Sequence, residues 1–465
     1  MVHRGVLSRS DQPAVTTTGI SVTDSGRPHY FLVNDPMRRR LRSPDDRHLG
    51  RKSYEINILI SDMKRRTFLS TAAVGASTLS GCLSMLPSSD SDTPLPDVPT
   101  GAWTQYGADA ANTFATDVSA PSQGNLAWTS ETFTRWQPAV SDGTVYTTNF
   151  DPSHDGSAIA LDAQDGTEQW RTTLDASGAN GTVVVDERCI VAYDTELVAL
   201  DPETGERIWT ETTNGLELSE LLVADEATGT VLVASESGIE AFGAANGKKR
   251  WETDTIRPLV HAPAVYDGRV FAVGNVDGAP SLVALSLEDG AERWRSELTS
   301  GPESAAPVAT QEGVVVADDR TLVAYDRETG DRHRELHSFG EGEDAIAQTV
   351  AADDGTVFVT SASGAVAVDS ETGTERWRRD APVYDPGICV GTETVVFPID
   401  DPEYSPGKKT ISAFNRESGK MRWHHVFDRS PNVVVPPVLV DGAVFFTASN
   451  MDSLAALGDV PARES

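Results

Sequence analysis

The chain reads as an all-β, eight-bladed β-propeller. Three observations predict this: a repeat of about forty residues, a hairpin turn at a fixed place in each repeat, and a tryptophan four residues past that turn. The clearest copy is Leu197-Val-Ala-Leu-Asp-Pro-Glu-Thr-Gly-Glu-Arg-Ile-Trp209. An apolar run ends at Asp201, Thr204-Gly205 reverse the chain, and Trp209 follows. The motif recurs with Gly166, Gly205, Gly247, Gly290, Gly330, Gly373 and Gly419, spaced 39, 42, 43, 40, 43 and 46 residues apart. Strands at that period with no helical pattern predict one four-stranded blade per repeat.

In chain order, residues 1–62 hold ten Lys/Arg and seven Asp/Glu, including Arg38-Arg-Arg40, without sustained periodicity. The simplest expectation is a true start at Met63; a disordered extension is the alternative. Residues 63–81 open with Met63-Lys-Arg-Arg-Thr-Phe-Leu69 and continue as a weakly apolar segment ending in Leu79-Ser-Gly-Cys82. The twin arginines Arg65-Arg66 resemble a twin-arginine export signal, and the small residues before Cys82 resemble a lipobox, whose thiol takes a diacylglycerol. An uncleaved membrane anchor is the competing reading. Residues 82–102, rich in Ser, Pro and Asp, read as a flexible lipid-anchored linker. Residues 103–460 read as the propeller and 461–465 as a tail.

Within the propeller each unit starts with a strand pair such as Pro263-Ala-Val-Tyr-Asp-Gly-Arg-Val-Phe271, where Asp-Gly supplies the positive φ of a two-residue hairpin. Eight such starts fall near 138, 182, 222, 263, 307, 350, 388 and 437. Only seven turn motifs follow, because the eighth unit stops at Leu454–Asp459. The missing fourth strand lies at the other end, in Asn125-Leu-Ala-Trp-Thr-Ser130. Trp128 then joins Trp170, Trp209, Trp251, Trp294, Trp377 and Trp423 as the repeated packing residues, and the N-terminal strand closes the ring, removing two free sheet edges. Arg334 replaces the tryptophan in the unit that also holds His333 and His337.

The motif aspartates read as turn formers that accept backbone hydrogen bonds, not as acid/base pairs. Cys189 and Cys389 read as small buried strand residues. No Walker loop, Gly-x-Gly-x-x-Gly, His-Glu-x-x-His or EF-hand pattern is present. No catalytic residue and no metal site is expected. The strand 2–3 and 4–1 connections vary in length and share one face, so recognition is expected there. Trp136, His154, Arg257, His261, Tyr384 and Tyr404 fall on or beside it, as does the Asn180-Gly-Thr182 glycosylation sequon.

Lys+Arg 38 against Asp+Glu 70 gives a net charge of −32, with seven lysines. A dense acidic, lysine-poor surface resembles proteins of extreme halophiles, whose carboxylates stay hydrated in concentrated salt. No basic stripe exists to neutralise phosphates, which excludes a nucleic-acid partner.

The repeat Ala-Leu-Asp-x-x-Thr-Gly-x-x-x-Trp resembles that of the pyrroloquinoline-quinone-like (PQQ-like) propellers. The opening Trp103-Thr-Gln-Tyr-Gly-Ala-Asp-Ala-Ala-Asn-Thr113 looks like the segment before the first blade in that family. One branch of it holds quinoprotein dehydrogenases with Ca²⁺ and, in many, a disulfide between adjacent cysteines. The other is BamB-like: cofactor-free envelope lipoproteins that scaffold protein assembly. The lipobox, the short blades and the lack of adjacent cysteines resemble the second branch. The resemblance implies a monomeric, non-enzymatic scaffold on the outer face of the cytoplasmic membrane, partnered by envelope or exported proteins, without PQQ or calcium. The alternatives are a PQQ-dependent oxidoreductase or an extracellular ligand- or glycan-binding sensor.

Overall fold

A computed structural model describes residues 92–462, apart from residues 133, 150–155, 175–180, 194, 215–221, 236, 260, 300–304, 341–346, 385–386, 402, 428–434 and 449–452. Residues 1–62, Arg65, Arg66 and Cys82 lie outside the described residues, as do His154 and Asn180.

The described strands form eight four-stranded antiparallel sheets. Blades 1 to 7 cover residues 139–173, 182–212, 222–253, 264–297, 308–338, 347–379 and 389–426. Blade 8 combines Val438–Val440, Ala443–Ala448 and Ser453–Gly458 with the N-terminal strand Asn125–Thr129, in the order expected for ring closure. Trp128 pairs with Ala456. The first strand of each blade is innermost, and first strands of blades 8 and 1 also touch, so the ring is continuous.

The turn motif explains how one blade docks on the next. Asp201 Oδ1 accepts from the backbone N–H groups of Glu203 (3.1 Å) and Thr204 (2.8 Å) and from the Thr204 hydroxyl (2.9 Å). That turn presents Gly205, at φ +70, to the indole of Trp170 on blade 1, where a Cβ would stand 2.6 Å from Cε3. Glycine is needed twice there: for the left-handed backbone and for the flat contact. The indole N–H of Trp170 then donates to the Pro202 carbonyl at 2.8 Å. The arrangement repeats with Trp128 on Gly166, Trp209 on Gly247, Trp251 on Gly290, Trp294 on Gly330 and Trp377 on Gly419. Burying an aromatic side chain of this size contributes on the order of 4–6 kcal/mol per junction as an upper bound.

The last junction is rebuilt from both chain ends. Trp423 of blade 7 lies on Gly124 and donates to the Pro121 carbonyl at 2.6 Å. Asp459 Oδ1, at the far end of the chain, accepts from Gln123 N (2.8 Å) and the Ser122 hydroxyl (3.0 Å). A turn that is continuous elsewhere is here divided between residues 121–124 and Asp459.

The junction without a tryptophan is not left loose. Every outer strand has one register shift near its tryptophan position, but Arg332–Ser338 has a second, at Leu336. The extra bulge brings the Glu335 and Leu336 carbonyl oxygens to 3.2 Å from a Cβ placed on Gly373, and Leu336 is buried. Backbone and a leucine thus cover the glycine that an indole covers elsewhere.

Residues 103–124, ahead of the first blade, form no blade strand, and their ladder contacts are limited to single bridges, Trp103 with Val140 and Ala115 with Val390. They wind through the ring instead. Val184 N, Val265 N, Ala309 N, Ala352 N and Val390 N donate to the carbonyls of Thr104, Ala110, Ala111, Thr113 and Phe114, one from each of blades 2, 4, 5, 6 and 7. Gln105 bonds both backbone groups of Ala224 on blade 3, and Gly442 of blade 8 donates to Ser119. This axial plug buries Trp103, Phe114 and Asn112 almost completely. Contrary to expectation, residues 82–102 are not all flexible linker. From Thr93 the chain is pinned to the blades, and Leu95 is 3% exposed. Leu95 and Pro99 are buried, apolar packing that a count of Ser, Pro and Asp underrates.

Candidate binding face

The turns between strands 1 and 2 and between strands 3 and 4 are short and share one face. The opposite face carries the longer connections. There the residues proposed from sequence separate into groups. Trp136 is half-buried in the crossover into blade 1, and its backbone N–H donates to the Thr134 hydroxyl at 3.1 Å. Arg257 and His261 sit in the crossover from blade 3 to blade 4. Arg257 is exposed, lies 3.9 Å from Asp254, and lines a polar cleft with Asn275, Asp277 and Arg295.

Tyr384 and Tyr404 do come together with one loop, residues 400–409 of blade 7. The Tyr384 hydroxyl donates to the Thr410 carbonyl at 3.1 Å, and Lys409 Nζ stands 4.2 Å from its ring centroid. Tyr404 is 42% exposed, and its ring lies 6.3 Å from that of His424. Arg379, from the end of blade 6, ties this loop down. It pairs with buried Asp401, lies 3.4 Å from Glu403, and its guanidinium stands 5.7 Å from Tyr404 and 5.4 Å from Phe414 ring centroids. A planar cation over two rings and beside two carboxylates fixes the loop and leaves the tyrosine outermost.

On the other side of Arg379 lies a cleft of about 150 Å³ lined by His337, Phe339, Ser361, Ser363, Arg378 and Asp380. His337 packs edge-on against Phe339 at 4.9 Å. Burial, then the nearby Arg378 charge, hold the His337 imidazole below its ordinary pKa. Arg378 is paired with Glu375 at 2.6 Å.

The charge around this region departs from the rest of the chain. Between Glu371 and Ser430, nine Lys/Arg face ten Asp/Glu, whereas the remainder from Cys82 onward carries 16 against 53. This stretch of blades 6 and 7, both faces counted together, is thus nearly neutral on an acidic chain, and its long-loop side carries Tyr384, Tyr404, Arg379 and Lys409. Tyrosine and arginine are the residue types that dominate protein interfaces. Sequence reasoning found the two tyrosines and missed Arg379, Arg378, Lys409 and His424. The available signal was the local charge balance.

Chemistry elsewhere is sparse. Cys189 and Cys389 are free and buried, in blades 2 and 7, and burial pushes both thiols up. No cluster of three or more His, Cys, Asp or Glu is placed to hold a metal ion among the described residues. No helix among them is long and apolar enough to cross a membrane.

The family model described as outer membrane protein assembly factor BamB matches residues 115–243, 235–380 and 335–458. The chain is 31% identical over 156 residues to outer membrane protein assembly factor BamB of Alkalilimnicola ehrlichii, covering 31% of this chain and 39% of that protein. It is 29% identical over 155 residues to serine/threonine-protein kinase AfsK of Streptomyces coelicolor, covering 33% of this chain and 18% of the kinase. The chain thus spans well under half the length of these curated relatives. Among solved structures it resembles quinohemoprotein alcohol dehydrogenase ADHIIG from Pseudomonas putida HK5, with a TM-score of 0.58 and 15% identity over 78% of this chain and 81% of that one. At that identity the likeness is one of fold.

Proposed function

The chain belongs to the family described as outer membrane protein assembly factor BamB, and on that premise we propose that it is an exported, lipid-anchored propeller that binds other extracytoplasmic proteins and catalyses no reaction. Cys82 carries the lipid, Arg65-Arg66 direct export, and the long-loop face, with Tyr384 and Tyr404 in its aromatic sector, meets the partner. The protein acts as a monomeric ring.

The observation that carries this reading is the filled axis. A quinone and its calcium need a cavity and a set of carboxylate and amide ligands. Here the axis is taken by Trp103, Phe114 and Asn112 of the chain itself. Asn112 Nδ2 spends its donors on the carbonyls of Ala262, Pro263 and Pro307, at 3.1–3.2 Å. The residues present do not fit a metal-bound quinone there. Two free cysteines in different blades also differ from an adjacent-cysteine disulfide.

The test is direct. Purified protein is incubated with PQQ and Ca²⁺ in molar salt, and absorbance and dye-linked oxidation of alcohols and sugars are followed. No binding and no turnover is the expected result. Stoichiometric quinone uptake with turnover overturns the proposal in favour of an oxidoreductase. Crosslinking from azidophenylalanine at position 404, compared with position 226 on the opposite face, then identifies the partner.

A further inference from the structure

The segment between the anchor and the plug is built into the ring at one place, and that place determines which way the ring faces. Asp441 N donates to the Thr100 carbonyl at 2.9 Å, beside the axis on blade 8. Leu95 N donates to the Gln164 carbonyl at 2.8 Å, and Gln164 Nε2 returns a bond to the Leu95 carbonyl at 3.0 Å. Thr93 N donates to the Ala127 carbonyl at 2.9 Å, on the outermost strand of blade 8. Gly143, Gln164, Asp441 and Gly458 are residues of short turns or strand ends on one face. Leu95 fills the space over Gly458, where a Cβ would lie 2.2 Å from its Cδ2. The chain therefore runs outward from the axis, along the short-turn face, and leaves the ring at the rim between blades 8 and 1.

We infer that the propeller hangs from its membrane by this rim of the short-turn face, with the long-loop face and the opposite blades 4 and 5 turned away; the inference rests on the lipid-anchored reading of Cys82. Nine residues separate Cys82 from Asp92. Even fully extended, the ten links from Cys82 to Asp92 span at most about 36 Å. Two opposed four-stranded blades at about 4.8 Å per strand are ~40 Å across before the axis is counted. So short a tether keeps the pinned rim nearest the bilayer. Were the ring held only from Trp103 onward, the same limit would be about 75 Å and the restraint weaker. The long-loop face then meets partners that approach from the solvent, not ones embedded in the bilayer beside the anchor.

The test places azidophenylalanine at Glu168 on the outer strand of blade 1, His333 on that of blade 5, or Ser363 on the long-loop face. All three positions are exposed. A donor dye is attached to the azide. The chain from Cys82 onward, which contains every described contact, is coupled through its Cys82 thiol to a maleimide lipid in phosphatidylcholine vesicles in molar NaCl. Cys189 and Cys389 are buried and do not compete. Energy transfer to a rhodamine headgroup lipid is expected to be at least about twofold higher from position 168 than from 333 or 363. Leu95→Asp, which releases the hook, should bring the three together. Equal transfer from all three positions in the parent, or the highest from 333 or 363, overturns the inference. Because the coupling is chemical, that outcome refutes the hook geometry alone. Unchanged membrane fractionation of Cys82→Ser in cells refutes the anchor reading alone.

Discussion

Replacing the turn glycine by alanine in two blades separates the contribution of the tryptophan contact from that of the turn itself. Gly205 and Gly373 both have φ +70, so Gly205→Ala and Gly373→Ala suffer the same backbone strain, about 1–2 kcal/mol for a left-handed non-glycine residue. Their surroundings differ. At Gly205 the new methyl lies 2.6–2.8 Å from Trp170 Cε3 and Cδ2 and Thr172 Oγ1, whereas at Gly373 the nearest atoms are the Glu335 and Leu336 carbonyl oxygens at 3.2 Å. Displacing a packed indole adds about 1–3 kcal/mol of overpacking. Gly205→Ala should therefore lose about 2–5 kcal/mol and Gly373→Ala about 1–2 kcal/mol. Urea unfolding in molar NaCl reads the difference as a lower midpoint at unchanged slope. Tryptophan fluorescence is enough as a probe, since indoles at the junctions report on blade separation. Equal losses in the two variants would refute the idea that the indole contact, and not the turn, demands glycine.

Asp459→Ala removes the acceptor that joins the chain ends, and should cost about 1–2 kcal/mol and raise amide exchange in Asn125–Thr129 ahead of blades 2 to 6; unchanged protection there would exclude the divided turn as the closing latch. Asp109, in the plug, has its carboxyl held above the usual range by burial, despite bonds from Thr113 and Ala111. A raised folded pKa means that its favourable contribution is complete below the unfolded value of about 3.9 and is lost as pH rises through the folded value. Asp109→Asn should thus gain stability relative to the parent at pH 7 and show no such gain near pH 3, as read by melting temperature; a gain that grows on acidification would contradict this. The chain from Cys82 carries 25 Lys/Arg and 63 Asp/Glu, so its melting temperature should rise steeply from roughly 0.1 M to molar salt, as the Debye length falls to about 3 Å. A flat or falling curve would remove the halophile reading and leave the propeller intact.

What the sequence by itself determined is the part of the fold written within forty residues. Strand, turn, glycine and tryptophan of one blade are close in the chain, so period and turn chemistry showed eight blades, and the count of seven turns against eight starts showed where Trp128 belongs. The same local logic placed Cys189 and Cys389 as buried strand residues and the motif aspartates as turn acceptors. What only the tertiary structure decided joins residues far apart. The plug bonds Gln105 to Ala224 and Asn112 to Pro307, and no periodicity marks a segment whose partners lie on all eight blades. Leu95 is polar-linker sequence until Gly458 and Gln164 give it a socket. Leu336 stands in for a missing tryptophan through a bulge, a change of register that composition does not encode. Arg379 becomes the centre of an aromatic sector because blade 7 lays residues 400–409 across it. A repeat encodes each blade locally, but the axis, the rim and the loop face exist where blades meet, and there the physical determinants are contacts across the ring.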